Sequence, residues 1–286
     1  ISNGGSHQVL YVSGYVGNRD NLVSITFGKN IVAVGGTDGT SNDAFRGCSK
    51  LTTVTLNSKL QILGRYAFRD CAALATINLN AATSLTTIRN DCFDYCHALT
   101  SITLPASLTS IENYGFYQCN NLKSVTFTTG TASLTLGNQV FNNCDKLETV
   151  SFPGNLTSIG ERTFENCDLL RSCVFSGSPN IKTIPYNTFA NCPSLLTMTL
   201  PDAVETIATG VFYGCTSLTE ITFGTALTSL GNDWTWCGYY MTNLQKLTFP
   251  GVNYPFQRSY ALPGTVTLYV NSDLTDTYRS TDFTKM

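Results

Sequence analysis

Residues 64–79 read Gly-Arg-Tyr-Ala-Phe-Arg-Asp-Cys-Ala-Ala-Leu-Ala-Thr-Ile-Asn-Leu, and the pattern of this stretch returns along most of the chain. Its regularly spaced apolar residues are Phe68, Cys71, Leu74, Ile77 and Leu79, which gives the template Phe-x-x-Cys-x-x-Leu-x-x-Ile/Val-x-Leu/Phe. The template occurs eight times, and its cysteines are Cys48, Cys71, Cys96, Cys119, Cys144, Cys167, Cys192 and Cys215. Self-similarity at a fixed period predicts stacked copies of one structural unit.

The spacing of the copies indicates which unit is stacked. Template cysteines are separated alternately by 23 and 25 residues, and leucine-rich repeats have such a period together with Leu-x-x-Leu-x-Leu spacing. Alternating apolar and hydroxyl residues, as in Thr53–Leu56, predict short strands with the aliphatic side chains inward. A second apolar pair in each copy, such as Leu60 and Leu63, is expected to form the opposite wall of a shared core. We therefore predict a leucine-rich-repeat solenoid, an α/β-type right-handed superhelix that is mostly β. It has a parallel sheet on the concave face, with turns and 3-10 or short helical segments elsewhere.

The ends of the repeat region are less regular than its middle. A degenerate copy at the start keeps only Leu22, Ile25 and Phe27 of the template. A stretched ninth copy has Trp234 and Cys237 followed by four extra residues. We treat residues 1–286 as a single domain. The predicted parts are an N-terminal cap with a degenerate first repeat (1–44), the repeats (45–250), and a C-terminal cap with a closing strand and a short helix (251–286).

The composition of the chain argues against nucleic acid and membrane as its partners. Charged residues make up 13% of the 286 residues and the net charge is −2, with no basic run, so we expect no nucleic-acid surface. No apolar stretch approaches the roughly 18–20 residues that span a bilayer, so we expect no membrane insertion by this segment. Because the chain begins with Ile1 rather than Met, we take it as a mature or trimmed form whose targeting segment has been removed.

The eleven cysteines are expected to be core residues and free thiols. Nine lie in the template column, Cys173 replaces the inward Ile/Val of its copy, and Cys92 takes the small-residue position before Phe93. The pairs typical of a zinc site are missing and no histidine cluster assists, so no metal is predicted. Stacked cysteines come close enough for a disulfide, but parallel Cβ vectors do not suit its crossed dihedral angle. A column of buried thiols with weak hydrogen bonds to loop carbonyls is the preferred interpretation.

At these motifs the sequence resembles the BspA-like leucine-rich-repeat family of surface proteins, including its Bacteroides-type members. The resemblance covers about residues 20–250 and is carried by segments such as 65–74, 108–113 and 149–153. The tail, with Val266–Val270 and then Tyr278-Arg279-Ser280, is similar to the closing strand and helix of Bacteroides-type members. The resemblance implies a secreted or surface-anchored bacterial protein that takes part in adhesion to matrix proteins, other cells or glycans.

Two groups of residues are candidates for ligand contact. The first is a two-column ladder of hydroxyl residues on the concave, solvent-facing side of the predicted sheet, including Thr103, Thr126, Thr199 and Thr222. It is either a flat hydrogen-bonding surface for a glycan or an extended polypeptide, or a set of good strand formers on a wet face. Interface anchors are usually Trp, Tyr or Arg, and the ladder has none of them.

The second candidate is the aromatic insertion of the stretched ninth copy. Trp236, Tyr239 and Tyr240 are extra to the template there. Their flat rings suit contact with a sugar or a partner protein. Aromatic side chains equally suit a cover for the exposed core of the last coil.

No catalytic constellation is found in the sequence. His97 follows Cys96, but adjacent residues of a coil point apart and Cys96 belongs to the core column. We therefore expect no enzyme activity and no cofactor. The preferred function is a non-enzymatic, secreted or cell-surface adhesion protein, expected to be monomeric, that recognises host or microbial protein or glycan through its solenoid surface. The alternative is a rigid architectural spacer that presents other domains and has no ligand of its own.

Overall fold

A computed structural model gives the fold, and the structure describes residues 11–12, 21–35, 43–177, 179–231, 241–251 and 266–270. Throughout these residues the chain forms repeated coils with three sides. One side is a strand of what we call the main sheet, and the next is a strand of the second sheet. The third, the turn face, carries the template Phe and Cys. The predicted leucine-rich-repeat solenoid is confirmed.

The main sheet contains the strands predicted from the Leu-x-x-Ile-x-Leu spacing. Its strands are β2 (Ser24–Thr26), β4 (Thr53–Thr55), β6 (Thr76–Ile77), β8 (Ser101–Leu104), β10 (Ser124–Phe127), β12 (Thr149–Phe152), β14 (Ser172–Phe175), β16 (Thr197–Thr199), β18 (Glu220–Thr222), β20 (Lys246–Phe249) and β21 (Thr267–Val270). They pair in parallel as three runs, β2-β4-β6, β8-β10-β12-β14 and β16-β18-β20-β21. In β8 and β12 buried and exposed residues alternate, which is the period of a sheet with one wet face.

The second sheet forms the opposite wall, where the sequence predicted an apolar pair in each copy but not its conformation. Its strands are β1 (Tyr11–Val12), β3 (Ala33–Val34), β5 (Ile62–Leu63), β7 (Thr87–Ile88), β9 (Ser110–Ile111), β11 (Leu134–Leu136), β13 (Leu156–Ser158), β15 (Thr183–Ile184), β17 (Thr206–Ile207) and β19 (Ser229–Leu230). They pair in parallel as two runs, β1-β3-β5-β7-β9-β11-β13 and β15-β17-β19. Short strands suffice because each coil is also held by its other two sides.

Asn78 shows why the main sheet is interrupted after β6. Its side-chain oxygen accepts the backbone N–H of Leu56 at 2.6 Å, in place of a ladder carbonyl. The chain then enters a 3-10 helix, Leu79–Ala81, rather than continuing the strand. An Asn side chain that imitates a backbone group in this way competes with the sheet.

One column of phenylalanine rings and one column of cysteine side chains fill the interior between the sheets and the turn face. From Phe45 to Phe212 the template rings stack with centroids 5.0–5.9 Å apart, close to the separation of neighbouring strands. The ten described cysteines are buried, and none of them forms a disulfide. Each template cysteine from Cys71 to Cys215 donates its S–H to the carbonyl of the Phe in the preceding coil, at 3.1–3.4 Å. The predicted core position of these cysteines is confirmed, while Cys237 lies outside the described residues.

The turn face is held by backbone in a left-handed conformation. Two residues before and two after the template Phe, φ is positive, as at Tyr66 (58°) and Asp70 (59°). In this segment the N–H groups of Tyr66, Phe68 and Asp70 all donate to carbonyls of the next coil, at 2.8–3.2 Å. The coils are thus hydrogen-bonded to their neighbours on all three sides.

The last described strand, β21, lies where the sequence predicts a closing strand. It pairs in parallel with β20 and extends the main sheet. The predicted short helix lies outside the described residues, as do most residues of the two predicted caps.

Candidate functional site

The exposed face of the main sheet contains four of the predicted site residues. Thr103 and Thr126 are register partners on β8 and β10, and Thr199 and Thr222 are register partners on β16 and β18. The column continues through Ser151 in the first run and Thr248 in the second. Thr103, Thr126 and Thr199 are exposed, and Thr222 is partly buried. We call these six residues, with the parallel column Ser101, Ser124, Thr149 and Thr197, the hydroxyl face.

Two groups of threonine hydroxyls differ in their hydrogen bonds. In the first group the hydroxyl donates to a backbone carbonyl of the preceding coil at 3.0–3.3 Å; the members are Thr52, Thr86, Thr109, Thr135, Thr157, Thr219 and Thr228. In the second group are Thr103, Thr126, Thr199 and Thr222, whose hydroxyls make no hydrogen bond to any other described residue. The first group fastens one coil to the next, and the second leaves its donors and acceptors for solvent or a ligand.

The middle of the hydroxyl face is neutral and its C-terminal end is not. Val174, 50% exposed, follows Ser151 in the register of the first run, so a single aliphatic side chain interrupts the column. At the C-terminal end Lys246 Nζ lies 2.6 Å from Glu220 Oε1, and this hydrogen bond raises the pKa of the lysine. Lys246 also lies 5.0 Å from the ring centroid of Tyr269, which is 52% exposed. Within the two columns, charge and aromatic character appear at the C-terminal end of the described chain, while exposed Lys123 and Arg171 lie immediately before β10 and β14.

The other predicted site residues, Trp236, Tyr239 and Tyr240, lie outside the described residues. Both interpretations of the aromatic insertion, a cover for the core and a ligand contact, stay predictions.

The turn face carries a cluster that the sequence analysis did not find. The guanidinium carbons of Arg46, Arg65 and Arg69 lie 5.4, 4.5 and 5.2 Å from the ring centroid of Tyr66. Arg69 Nε is 3.2 Å from the carboxylate of Asp94, whose side chain is 3% exposed. Burial raises the pKa of this carboxyl to about 7. Arg65, Tyr66 and Arg69 are close in sequence, but Arg46 and Asp94 come from the neighbouring coils, and the spacing of the template does not show that stacking brings them together.

Farther along the turn face, amides replace the arginines. Asn166 Nδ2 donates to Asn143 Oδ1 at 3.1 Å, and Asn191 Nδ2 donates to Asn166 Oδ1 at 2.9 Å. All three have positive φ, which Asn tolerates better than most residues. These side chains donate to and accept from one another across adjacent coils, so this part of the turn face stabilises the stacking of the coils.

The adjacent thiol and imidazole of Cys96 and His97 have separate surroundings. Cys96 is fully buried and donates to Phe68 O at 3.2 Å, and desolvation holds its pKa well above that of an ordinary thiol. The ring of His97 lies against Tyr95 instead, with centroids 5.8 Å apart. A thiolate–imidazole pair is therefore not formed at these two residues. Among the described residues, no three His, Cys, Asp or Glu side chains converge in a way that could hold a metal ion. The same residues contain no helix of sufficient length and apolar character to cross a membrane.

Parallel coils with a repeated Leu, Phe and Cys core define a leucine-rich-repeat protein. Its sequence matches the family model described as the BspA type leucine rich repeat region over residues 17–134 and 134–262. The chain therefore belongs to the BspA-type leucine-rich-repeat family.

Solved structures similar to this chain include bacterial surface and leucine-rich-repeat proteins. A leucine-rich cell surface protein of Faecalibacterium prausnitzii is 21% identical, with a TM-score of 0.40 over 87% of this chain and 86% of that one. A leucine-rich-repeat protein of Bacteroides ovatus is 20% identical, with a TM-score of 0.37 over 94% and 97%. The pneumococcal vaccine antigen PcpA is 19% identical, with a TM-score of 0.47 over 93% and 80%. A search of curated proteins gave no significant match.

Proposed function

We propose that this chain is a non-enzymatic binding protein of the bacterial cell surface or the extracellular medium, and that it recognises a host or microbial protein or glycan. The observation that carries the proposal is the division of the threonines. Hydroxyls that join the coils are hydrogen-bonded, while Thr103 and Thr126 expose theirs as register partners on the main sheet and Thr199 exposes its hydroxyl on the next run of the same face. Membership of a leucine-rich-repeat family supports a role in interaction, because such folds offer an extended binding surface.

Variants of the face test the proposal against a matched control. Thr103→Val with Thr126→Val removes two exposed hydroxyls while keeping the β-branched shape that suits a strand. Thr183→Val with Thr206→Val makes the same change at two register partners of the second sheet. Wild type and both variants are screened by surface plasmon resonance against matrix proteins and by glycan array.

We expect at least one ligand for the wild type, weaker binding by the main-sheet variant and unchanged binding by the second-sheet variant. Equal loss in both variants, or in neither, contradicts the main-sheet assignment. Trp236→Ala and Tyr240→Ala test the aromatic insertion in the same screen. If binding survives both changes, the insertion is not the site.

A rigid spacer is the second candidate, and the uninterrupted ring stack from Phe45 to Phe212 favours it. A rod that is hydrogen-bonded on three sides holds other domains at a fixed separation without binding a ligand itself. Absence of binding to every protein and glycan in the screen, with an intact fold, is the outcome that supports this alternative.

A further inference from the structure

We propose that folding and disulfide formation exclude each other in this chain. The folded chain keeps its core thiols reduced. A chain that unfolds in the presence of a small-molecule disulfide forms protein disulfides that do not fit the stacked coils, and it is trapped. The property concerns the eleven cysteines, of which ten lie in the described residues, and none of those ten forms a disulfide. It is independent of any ligand that the protein binds.

Burial protects the thiols of the folded chain. The side chains of Cys92, Cys96, Cys119 and Cys192 are fully buried, and desolvation holds the pKa of each well above that of an ordinary thiol. Thiol–disulfide exchange begins with the attack of a thiolate on a disulfide sulfur. A thiol that stays protonated and out of reach of the oxidant therefore stays reduced.

Neighbouring cysteines of the sulfur column do not suit a disulfide. From Cys71 to Cys215 every template S–H points to the carbonyl of the Phe in the preceding coil, so the side chains share one orientation. Their coils are about 4.8 Å apart, whereas a disulfide needs its sulfurs about 2.05 Å apart. Parallel side chains that approach along the stacking direction are eclipsed about the new bond, whose preferred dihedral angle is about 90°. A bond in the column therefore requires distortion of the coils.

Two cysteines outside the template column make the unfolded chain quick to oxidise. Cys92 lies four residues before Cys96 and Cys173 lies six residues after Cys167, while template cysteines are 23 or 25 residues apart. Because short loops close at a lower entropic cost, these two pairs should form first. In the folded chain Cys167 lies on the turn face and Cys173 in β14, on different sides of the coil. A bond between Cys92 and Cys96 would take the Cys96 sulfur from Phe68 O, to which it donates.

The trapping reaction is two steps of exchange with a small-molecule disulfide such as oxidised glutathione. A protein thiolate attacks one glutathione sulfur, which forms a mixed disulfide and releases the first reduced glutathione. The second protein thiolate attacks the protein sulfur of that mixed disulfide and releases the other glutathione. Two protein thiols are thereby oxidised to one disulfide, and their protons pass to the two glutathione thiolates.

Refolding after a timed exposure to oxidised glutathione tests the proposal. The full chain is exposed either folded or in urea, glutathione is removed, and the urea is diluted. Circular dichroism reports the fold, and alkylation with mass spectrometry reports the free thiols and the disulfide pairs. We expect the folded sample to keep its ten described thiols and its spectrum. The chain oxidised in urea should regain that spectrum only after dithiothreitol is added, while a reduced chain should regain it directly.

A double variant, Cys92→Ala with Cys173→Val, removes both close pairs. Both changes keep to the template, because Ala44 and Ala67 occupy the first position in other copies and Val150 occupies the second. We expect this variant to fold like the wild type. In urea its first intramolecular disulfide should form about tenfold more slowly. A short exposure that traps the wild type should therefore leave the variant able to refold.

Four results would overturn the proposal. The first two are oxidation of the described thiols in the folded chain as fast as in urea, and recovery of the native spectrum by the oxidised chain without reductant. The third is a double variant that is oxidised in urea as fast as the wild type. The fourth needs no refolding step: it is a map of the first disulfides formed in urea that lacks both Cys92–Cys96 and Cys167–Cys173.

Discussion

Replacement of Cys119 by alanine should cost about 1.5–3 kcal/mol of unfolding free energy. Cys119 is fully buried in the sulfur column, and its S–H donates to Phe93 O at 3.3 Å. Loss of the sulfur removes burial worth about 1–1.5 kcal/mol, and the cavity that remains adds up to about 1 kcal/mol. The lost S–H bond adds only about 0.5 kcal/mol, because Phe93 O still accepts the N–H of Cys96 at 3.2 Å.

Urea unfolding followed by circular dichroism measures this loss, with Cys119→Ser and Ser124→Ala as companions. Serine retains a donor, but its shorter C–O bond leaves part of the gap and buries a hydroxyl, so we expect it to be no more stable than the alanine variant. Ser124 is exposed on β10, so its replacement should change stability by less than about 0.5 kcal/mol. A loss below about 0.5 kcal/mol for Cys119→Ala would refute the packing of the sulfur column.

Three further predictions concern the thiols, the coil contacts and the pH dependence. In the native protein the ten buried cysteines should not react with Ellman's reagent and should all react in denaturant; fast native labelling of the column would contradict their burial. Gly160→Ala should cost more than about 2 kcal/mol, because its Cβ would meet the backbone of Gly137. Gly47→Ala should cost only about 1 kcal/mol, because its φ is +73° but the space around it is open. Equal losses of unfolding free energy for the two glycine variants in urea would contradict this prediction. The folded state keeps a proton on Asp94 up to pH about 7 that the unfolded chain releases near 4, so the unfolding free energy should fall as pH rises through this window. Asp94→Asn should flatten that fall, and an unchanged slope in urea melts from about pH 5 to 8 would count against the raised pKa.

Much of the interior could be predicted from the spacing of the apolar residues alone. The template fixes which side chains point inward, and Phe68, Cys71, Leu74 and Ile77 are all buried. A period that repeats eight times leaves little freedom in this assignment, because each copy must bury its apolar side against the next. The same reasoning placed Thr103 on the wet side of the main sheet.

Features that depend on contacts between coils could not be predicted. Tyr66 and Arg162 adopt positive φ, but nothing in their side chains indicates it, since Gly and Asn are the usual residues for that conformation. Likewise, the spacing of the template does not show that the hydroxyl of Thr109 donates to the preceding coil, because that hydrogen bond forms only when the coils are stacked.

Anomalous diffraction from sulfur would test the stacked-coil interior most directly. We expect eight template sulfurs, from Cys48 to Cys215, in a single buried row with neighbours about 5 Å apart. Sulfurs joined in pairs at bonding distance, gathered around an ion, or scattered over the surface would contradict this structure of the protein.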